Sequence, residues 1–336
     1  MSQPNEKTVD NLFKEFSPAH TPGAAVMVIK SGKPIFTKAY GQADLDAKVP
    51  CTTNTNFRLA SVTKQFTAMS ILILAERGKL SLDESITKFF PEFPDWGKAI
   101  TVRHLLTHTS GLLDYEDLTP PGTTIPLSDK NVLLLLRQQS KTNFPPGTKF
   151  QYSNSGYALL SLIVEVVSGN SFAEFLRANI FAPLGMTNSL AYEPGVSVVP
   201  NRAFGYAKST NGFEFKDQSL SSAVLGDGGV YSSVVDLFKW DQTLYTEKLV
   251  SHKMLQQAFT PASKNSDMTN SGYGFGWYIG SDRGTQHVWH YGSTCGFSTQ
   301  IHRFPEKQLS IILLANRADA KPALTEITKK LSELYW

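Results

Sequence analysis

Apolar positions recur with helical spacing from Val9 to Phe16, and the next stretch, "GAAVMVIKSGKPIFTKAYG", switches to short continuous apolar runs. Those runs predict two strands, with Ser31-Gly32-Lys33-Pro34 supplying the turn between them. A long helical pattern follows from Ser61 to about Glu76 and stops at Gly78. From there to roughly Ser221 the pattern is mostly helical, broken by Pro- and Gly-rich loops. "NVLLLLRQQS", "GYALLSLIVEVVSG" and "FAEFLRANIFAPLG" are the clearest helices, with Gly169 and Gly185 as C-terminal stops. The spacing of Ser233 and Asp236 predicts a capping box at the start of another helix. Strand patterns then return in "GYGFGWYIGS", "QHVWHYG", "FSTQIHRF" and "LSIILLAN", with Pro305-Glu306-Lys307 turning the third into the fourth. An amphipathic helix from about Pro322 to Trp336 closes the chain. Strands at both ends around a helical middle predict an α+β fold. Its antiparallel β-sheet is closed by the two termini and flanked by N- and C-terminal helices, with a mostly helical subdomain inserted. A cleft between such layers is the expected ligand site.

Composition narrows the classes. The 336 residues suffice for one large domain or two smaller ones with a substantial core. The net charge of +3 comes from scattered basic residues, without the dense Lys/Arg stripe of a nucleic-acid binder. No window approaches eighteen continuous apolar residues, so no transmembrane segment is expected. The polar opening "MSQPNEKTVDNLFKEF" lacks the apolar core of a signal peptide. The expected location is cytoplasmic as the sequence stands, and periplasmic or secreted if a signal has been removed. Cys51 and Cys295 lie too far apart in sequence to read as a disulfide framework or a zinc knuckle, so both are expected to be free thiols. Oligomeric state is left open.

Candidate chemistry begins with "FRLASVTKQFTAM". Ser61 and Lys64 stand three residues apart where a helix starts, which puts a hydroxyl and an amine on one face. S-x-x-K alone is weak, since roughly one match is expected by chance in a chain this long. A second copy occurs at Ser85/Lys88, but there Asp83 and Glu84 would hold the lysine protonated. Lys64 has mostly uncharged neighbours, so burial would lower its pKa toward that of a base. The helix start would also favour a developing alkoxide on Ser61. "FPPGTKFQYSNSGY" adds Tyr152 and Asn154, which face one side if the loop is extended. "HVWHYGSTCGF" adds His290, Gly292 and Ser293 at a strand end, where glycine allows close backbone approach and the Ser293 N–H can serve an oxyanion. Taken singly, these read better as a loop tyrosine with an Asx-turn and a core histidine at a strand end.

Their order changes the reading. S-x-x-K, Y-x-N and [K/H]-x-G in succession resemble the serine β-lactamase and penicillin-binding-protein superfamily. The tyrosine variant is similar to its class C β-lactamase-like branch, which also holds esterases, D-aminopeptidases and D,D-peptidases. "HLLTHTSGL" (104–112) and "GDGGVYSSVVDLFKW" (226–240) are similar to further segments of the same family. The resemblance implies a β-lactamase/transpeptidase-like fold as a single catalytic domain over 8–336. Its α/β subdomain would come from 8–60 and 225–336 and its mostly helical subdomain from 61–224. It makes Ser61 the acylated nucleophile, Lys64 its partner, and Tyr152 the base for attack and the acid toward the leaving group. Asn154 would orient substrate or lysine, and His290 would line the cleft opposite Ser61. Gly292 would admit the ligand, and the Ser61 and Ser293 N–H groups would form the oxyanion hole. Whether Lys64 or Tyr152 takes the first proton stays open, since the two can titrate as a unit.

One departure bears on substrate. The β-lactamases of this family carry lysine where His290 stands, and a histidine near its reference value of about 6.5 is mostly neutral at pH 7. It would gain charge as pH falls toward 6. The expected function is therefore a serine hydrolase acting through an acyl-enzyme on small-molecule esters, amides or peptides, with no cofactor and no metal. A β-lactamase or D,D-carboxypeptidase is the alternative. A non-catalytic protein that kept the fold is a third reading, which loss of Ser61, Lys64 or Tyr152 would favour, and all three are present. No G-x-S-x-G marks an α/β-hydrolase, and His104-Leu-Leu-Thr-His108 lacks the glutamate of a zincin, so both histidines are expected to satisfy buried hydrogen bonds. His287, His290, Cys295 and His302 are expected to be split between sheet faces rather than gathered on a metal. "LLDYEDLTPPGTTIP" and "LAYEPGVSVV" are the expected pocket walls.

Overall fold

The structure, a computed structural model, describes residues 6–264 and 271–336. The first two strand patterns form the hairpin β1 (Ala24–Lys30) and β2 (Lys33–Tyr40). Ser31 and Gly32 between them both take positive φ, 50° and 75°, as a two-residue hairpin turn twisted to match its strands requires. The C-terminal part adds β3 (Ser263–Lys264), β4 (Gly272–Tyr273), β5 (Tyr278–Asp282), β6 (Thr285–Thr294), β7 (Phe297–Phe304) and β8 (Leu309–Ala315). These eight strands form one sheet in the order β3-β4-β5-β6-β7-β8-β1-β2, with every neighbouring pair antiparallel.

Both faces of the sheet are covered, which explains why the central strands read as continuous apolar runs. Val26, Val28, Ile311 and Leu313 point to one side, where they pack with α1 (Glu6–Leu12) and the amphipathic α7 (Lys321–Tyr335) through Val9, Leu324, Ile327 and Leu331. Met27, Ile29, Ile312 and Leu314 point to the other and join the larger core of the helical part. That part includes α2 (Lys64–Glu76), α3 (Val102–Leu106), α4 (Asp129–Arg137) and α5 (Asn154–Ser168), while α6 (Val234–Thr243) lies against β1 and β8. α2 is buried on nearly every side, so it carries no polar stripe. Gly169 ends α5 at φ 75° and Gly185 ends the helix before it at φ 68°. Among the described residues, no single helix is long and apolar enough to cross a membrane.

Four local expectations need correction. The helix expected from Ser61 opens as a 3-10 turn over Ala60–Thr63, and the α-helix begins at Lys64. "FAEFLRANIFAPLG" is interrupted by a π-turn at Arg177–Phe181. "GYGFGWYIGS" is broken between β4 and β5, where Gly276 takes φ 76° and any side chain would come within 3.0 Å of the Lys64 and Gln65 backbone. The strand bends there because it crosses the start of α2. At α6, the Ser233 side chain accepts from the Asp236 N–H, but Asp236 completes no box. Its carboxylate instead accepts from Asn188 N–H and the Ser189 hydroxyl and pairs with Lys239.

A buried ion pair ties the layers together. Arg303 on β7 donates from Nε to Asp241 Oδ1 on α6 at 2.6 Å, and the Ser310 hydroxyl of β8 donates to the same oxygen at 2.7 Å. Both charged side chains are essentially inaccessible, and the guanidinium lies 4.6 Å from the centre of the Tyr245 ring. Asp241→Ala is expected to cost about 3–5 kcal/mol, because it strands the Arg303 charge in the interior. Chemical denaturation of the two proteins measures this, and a loss under about 1 kcal/mol would put the pair in the class of solvated surface bridges.

Candidate active site

The 3-10 turn that carries Ser61 is held from three directions. Leu59 donates its N–H to Val230 O at 2.8 Å, and Val230 donates its own to Thr63 Oγ1 at 3.1 Å. From β7 the Thr299 hydroxyl donates to Leu59 O at 2.7 Å. Gly292 on β6 passes so close that a side chain there would overlap Leu59 O, Thr299 Oγ1 and the Ala60 Cβ. Ala60 sits at φ 48°, a left-handed conformation that costs an L-residue on the order of 1–3 kcal/mol and persists only where its surroundings impose it. The turn leaves Ser61 half-buried and facing a cavity, while Val62, Thr63 and Lys64 point inward.

Lys64 is fully buried, and its Nζ donates to Ser61 Oγ, Asn154 Oδ1 and the Asp227 carbonyl, each at 2.9 Å. Burial draws its pKa below the ordinary lysine value, against the opposing pull of Asp227, Asp114 and Glu116. Two of the three partners are carbonyl oxygens and can only accept. When the amine is neutral its two N–H groups therefore stay on Asn154 and Asp227, and the lone pair is left facing the Ser61 hydroxyl.

Each partner is itself positioned. Asn154 is the first residue of α5, and its N–H donates to Asp114 Oδ2 at 2.6 Å. The segment before Asp227 is held by the buried Asp129 carboxylate, which accepts from the Leu225 and Gly226 N–H groups at 2.8 and 3.1 Å. Thr67 of α2 donates its hydroxyl to Gly226 O at 2.6 Å. Asp227 also accepts the Tyr115 hydroxyl at Oδ2, 2.9 Å away.

Tyr152 lies over the same amine, with Lys64 Nζ 4.9 Å from its ring centre. Burial pushes its phenol well above the ordinary value, Tyr278 adds to this, and a hydrogen bond with Ser61 works against it. The phenol is thus protonated at rest. Its loop is anchored by His108, whose carbonyl accepts from Gln151 N–H at 2.9 Å and whose Nδ1 accepts from Ser153 N–H at 3.2 Å. The ring of His108 packs on Tyr152 with centres 4.2 Å apart. Because Nδ1 accepts, the His108 proton is on Nε2, which has no hydrogen-bond partner among the described residues. The expectation that both histidines of "HLLTHTSGL" are satisfied therefore holds only for His104, which closes a capping box with Thr101 at α3.

His290 requires the larger correction. It does not line the cavity at Ser61 but lies behind Tyr152, with 1% of its surface exposed and ring centres 6.4 Å apart. Nδ1 donates to Tyr291 O at 2.8 Å, so Nε2 accepts the Tyr273 hydroxyl at 3.0 Å. Burial first, then the nearby Lys64 charge, pushes its pKa down to about 3. It therefore gains no charge as pH falls toward 6. Gly292 is buried against the nucleophile's turn, and Ser293 lines the cavity opposite it.

The cavity, about 40 Å³, is walled by Ser61, Asn154, Ser293, Arg58, Glu116 and Asp227, among others. Arg58, Tyr115, Glu116 and Asp227 were not singled out as site residues, although all four fall inside stretches quoted above. "LAYEPGVSVV" lines a separate cavity of about 570 Å³ on the helical part. His287 and His302 pair through Nε2 and Nδ1 at 3.0 Å, away from the His290 side of the sheet. Among the described residues, no group of three His, Cys, Asp or Glu side chains is arranged to hold a metal ion.

With this geometry in hand, known proteins give context. The family model described as Beta-lactamase matches residues 9–333. Penicillin-binding protein 4* of Bacillus subtilis (strain 168) is 32% identical over 334 residues, covering 95% of this chain and 73% of that protein. The penicillin binding protein from Bacillus halodurans superposes with a TM-score of 0.83 at 28% identity, covering 98% of this chain and 100% of the other. The D-amino acid amidase from Ochrobactrum anthropi SV3, complexed with L-phenylalanine amide, superposes with a TM-score of 0.81 at 25% identity, covering 97% and 98%.

The burial of His290 has a spectroscopic signature. Nitrogen-15 shifts of the His290 imidazole should report a neutral ring protonated at Nδ1 from pH 8 down to pH 5, without a titration step. A midpoint near 6.5 would mean that the ring is solvated and that Tyr273 does not hold it.

Proposed function

The chain belongs to the Beta-lactamase family and is a hydrolase of the serine β-lactamase fold, and on that premise we propose that Ser61 is acylated by small ester, amide or peptide substrates. The observation that carries this is the commitment of the Lys64 amine. With Asn154 Oδ1 and the Asp227 carbonyl holding two N–H groups, the neutral amine has its lone pair 2.9 Å from Ser61 Oγ. Lys64 is then the first proton acceptor, since the Tyr152 phenol is protonated at rest and has nowhere to put a second proton.

In this mechanism Ser61 Oγ attacks the carbonyl carbon as its proton passes to Lys64. The displaced π-electron pair moves to the carbonyl oxygen, which is held by the Ser61 and Ser293 N–H groups. Collapse of that intermediate breaks the bond to the leaving group. The leaving group takes the Tyr152 proton, and Lys64 replaces it.

The neutrality of His290 supports esters and amides over penicillins, because the permanent cation that β-lactamases offer to a carboxylate is missing. One observation favours the second reading, a D,D-carboxypeptidase or β-lactamase. Arg58, buried and lining the cavity, is a cation that can meet a substrate carboxylate. A parallel screen of short-chain p-nitrophenyl esters, D- and L-amino-acid anilides and a chromogenic cephalosporin separates the two.

A fluorophosphonate should add mass to the peptide containing "LASVTK", and Ser61→Ala should abolish both labelling and turnover. Labelling that persists in Ser61→Ala and maps to Ser85 or Cys295 would sink the assignment. Tyr152→Phe should keep the fold, read by circular dichroism, and lose on the order of 10²–10⁴ in rate. With a neutral ester, kcat/KM should rise with pH to a plateau whose midpoint lies below the ordinary lysine value of about 10.4, because deprotonation of Lys64 creates the base. A flat profile from pH 6 to 10 would remove Lys64 from the role.

A further inference from the structure

Acylation leaves Asp227 without a task beyond its backbone carbonyl, yet the residue lines the cavity beside Ser61. Oδ2 accepts the Tyr115 hydroxyl at 2.9 Å. Oδ1 has no hydrogen-bond partner among the described residues, and Asp227 lines the cavity together with Ser61, Asn154 and Ser293. That cavity, about 40 Å³ with polar walls, has the room and the partners to hold a water. The carboxylate is also rigidly presented. Asp129 holds the two preceding N–H groups, and Lys64 holds the Asp227 carbonyl. Glu116 borders the same cavity, but its carboxylate has no comparable anchors.

We propose that Asp227 is the base of deacylation, taking a proton from the water that hydrolyses the Ser61 ester. The inference rests on the acyl-enzyme reading above. As an O–H bond of the water breaks toward Asp227 Oδ1, its oxygen bonds to the acyl carbon and the carbonyl π-pair moves to oxygen. The intermediate collapses and breaks the C–Oγ bond. Lys64, left neutral by acylation, takes the proton from the Asp227 carboxyl and passes one to the departing Ser61 Oγ, and the acid product leaves. Water and ester are consumed, and acid and hydroxyl are formed.

The electrostatic setting suits the task. The groups facing Asp227 are Lys64 from α2, Asp129 from α4, Tyr115 from its own helical turn and Arg58 from the strand Phe57–Arg58. Burial raises the Asp227 pKa out of the usual carboxylate range and Asp129 adds to this, while Lys64, Tyr115 and Arg58 pull it back. A base moved toward neutral pH takes a water proton more readily than an ordinary carboxylate.

The test uses the full chain with p-nitrophenyl acetate, rapid quench and peptide mass spectrometry. Asp227→Asn should give a burst of about one p-nitrophenol per enzyme and retain the acetyl group on Ser61. Its steady-state rate should fall on the order of 10²–10⁴-fold, with kcat/KM, which reports acylation, falling far less. Tyr115→Phe removes a hydrogen bond that lowers the Asp227 pKa, so the pH limb of acyl-enzyme hydrolysis should move to higher pH. If Asp227→Asn does not fold, that shift decides alone, and an unmoved limb overturns the proposal. Equal losses in kcat and kcat/KM, with no acetyl accumulation on Ser61, would reduce Asp227 to a positioning residue for Lys64. Absence of acetyl-Ser61 in the wild type under quench as well would overturn the acyl-enzyme reading itself, and this proposal with it.

Discussion

Taking an ammonium out of water costs several kcal/mol, and Lys64 is held in the interior with no exposed surface. The cost is offset by three oxygens from three distant segments: the turn at Ser61, the start of α5 at Asn154 and the loop at Asp227. None of these can drift without leaving a buried donor unpaired, so each has its own brace. Asp114 fixes Asn154, Asp129 and Thr67 fix the loop before Asp227, and Thr299 with Val230 fixes the Ser61 turn. The helical part and the sheet are thus registered against each other by the solvation needs of one amine. The same shortage of solvation makes that amine chemically useful.

The wall behind Tyr152 shows how far an apolar surround can move a titration. His108, Tyr273, Tyr278 and His290 form an aromatic wall with the phenol, neighbouring ring centres lying between 4.2 and 6.4 Å apart. In that setting His108 and His290 are pressed toward free imidazole, and Tyr152 and Tyr273 toward phenol. A lysine in place of His290 would have to carry its charge into this wall. The histidine present here, bonded at both nitrogens, contributes shape and a fixed Tyr273 hydroxyl instead.

What was legible in the chain follows from range. The β1–β2 hairpin, the strands β6 to β8, and the stops at Gly169 and Gly185 are written in local periodicity and turn chemistry, and the structure has them where the pattern puts them. Ser61, Lys64, Tyr152 and Asn154 were found by motif order, and the fold brings all four to one amine. The break at Gly276 was not legible, because its cause is the backbone of α2, some two hundred residues earlier. The charge state of His290 was misread for the same reason, since Tyr273 and Lys64 are not its sequence neighbours. Asp129 and Asp227 were not singled out in the sequence. Only burial, together with the N–H groups and hydroxyls that converge on them, sets them apart.

The place of β1 in the sheet governs how this chain comes together in time. β1 lies between β2, its immediate successor, and β8, with Ala24 opposite Ala315. During synthesis the β1–β2 hairpin emerges well before β8, with the helical part made between them. The apolar edge from Ala24 to Ile29 therefore waits unpaired until β8 is made. Closing so long a loop is entropically uphill until the sheet and its helices dock, which places this topology among the slow folders. Truncation before Leu309 would remove the partner strand of the first hairpin rather than a dispensable tail.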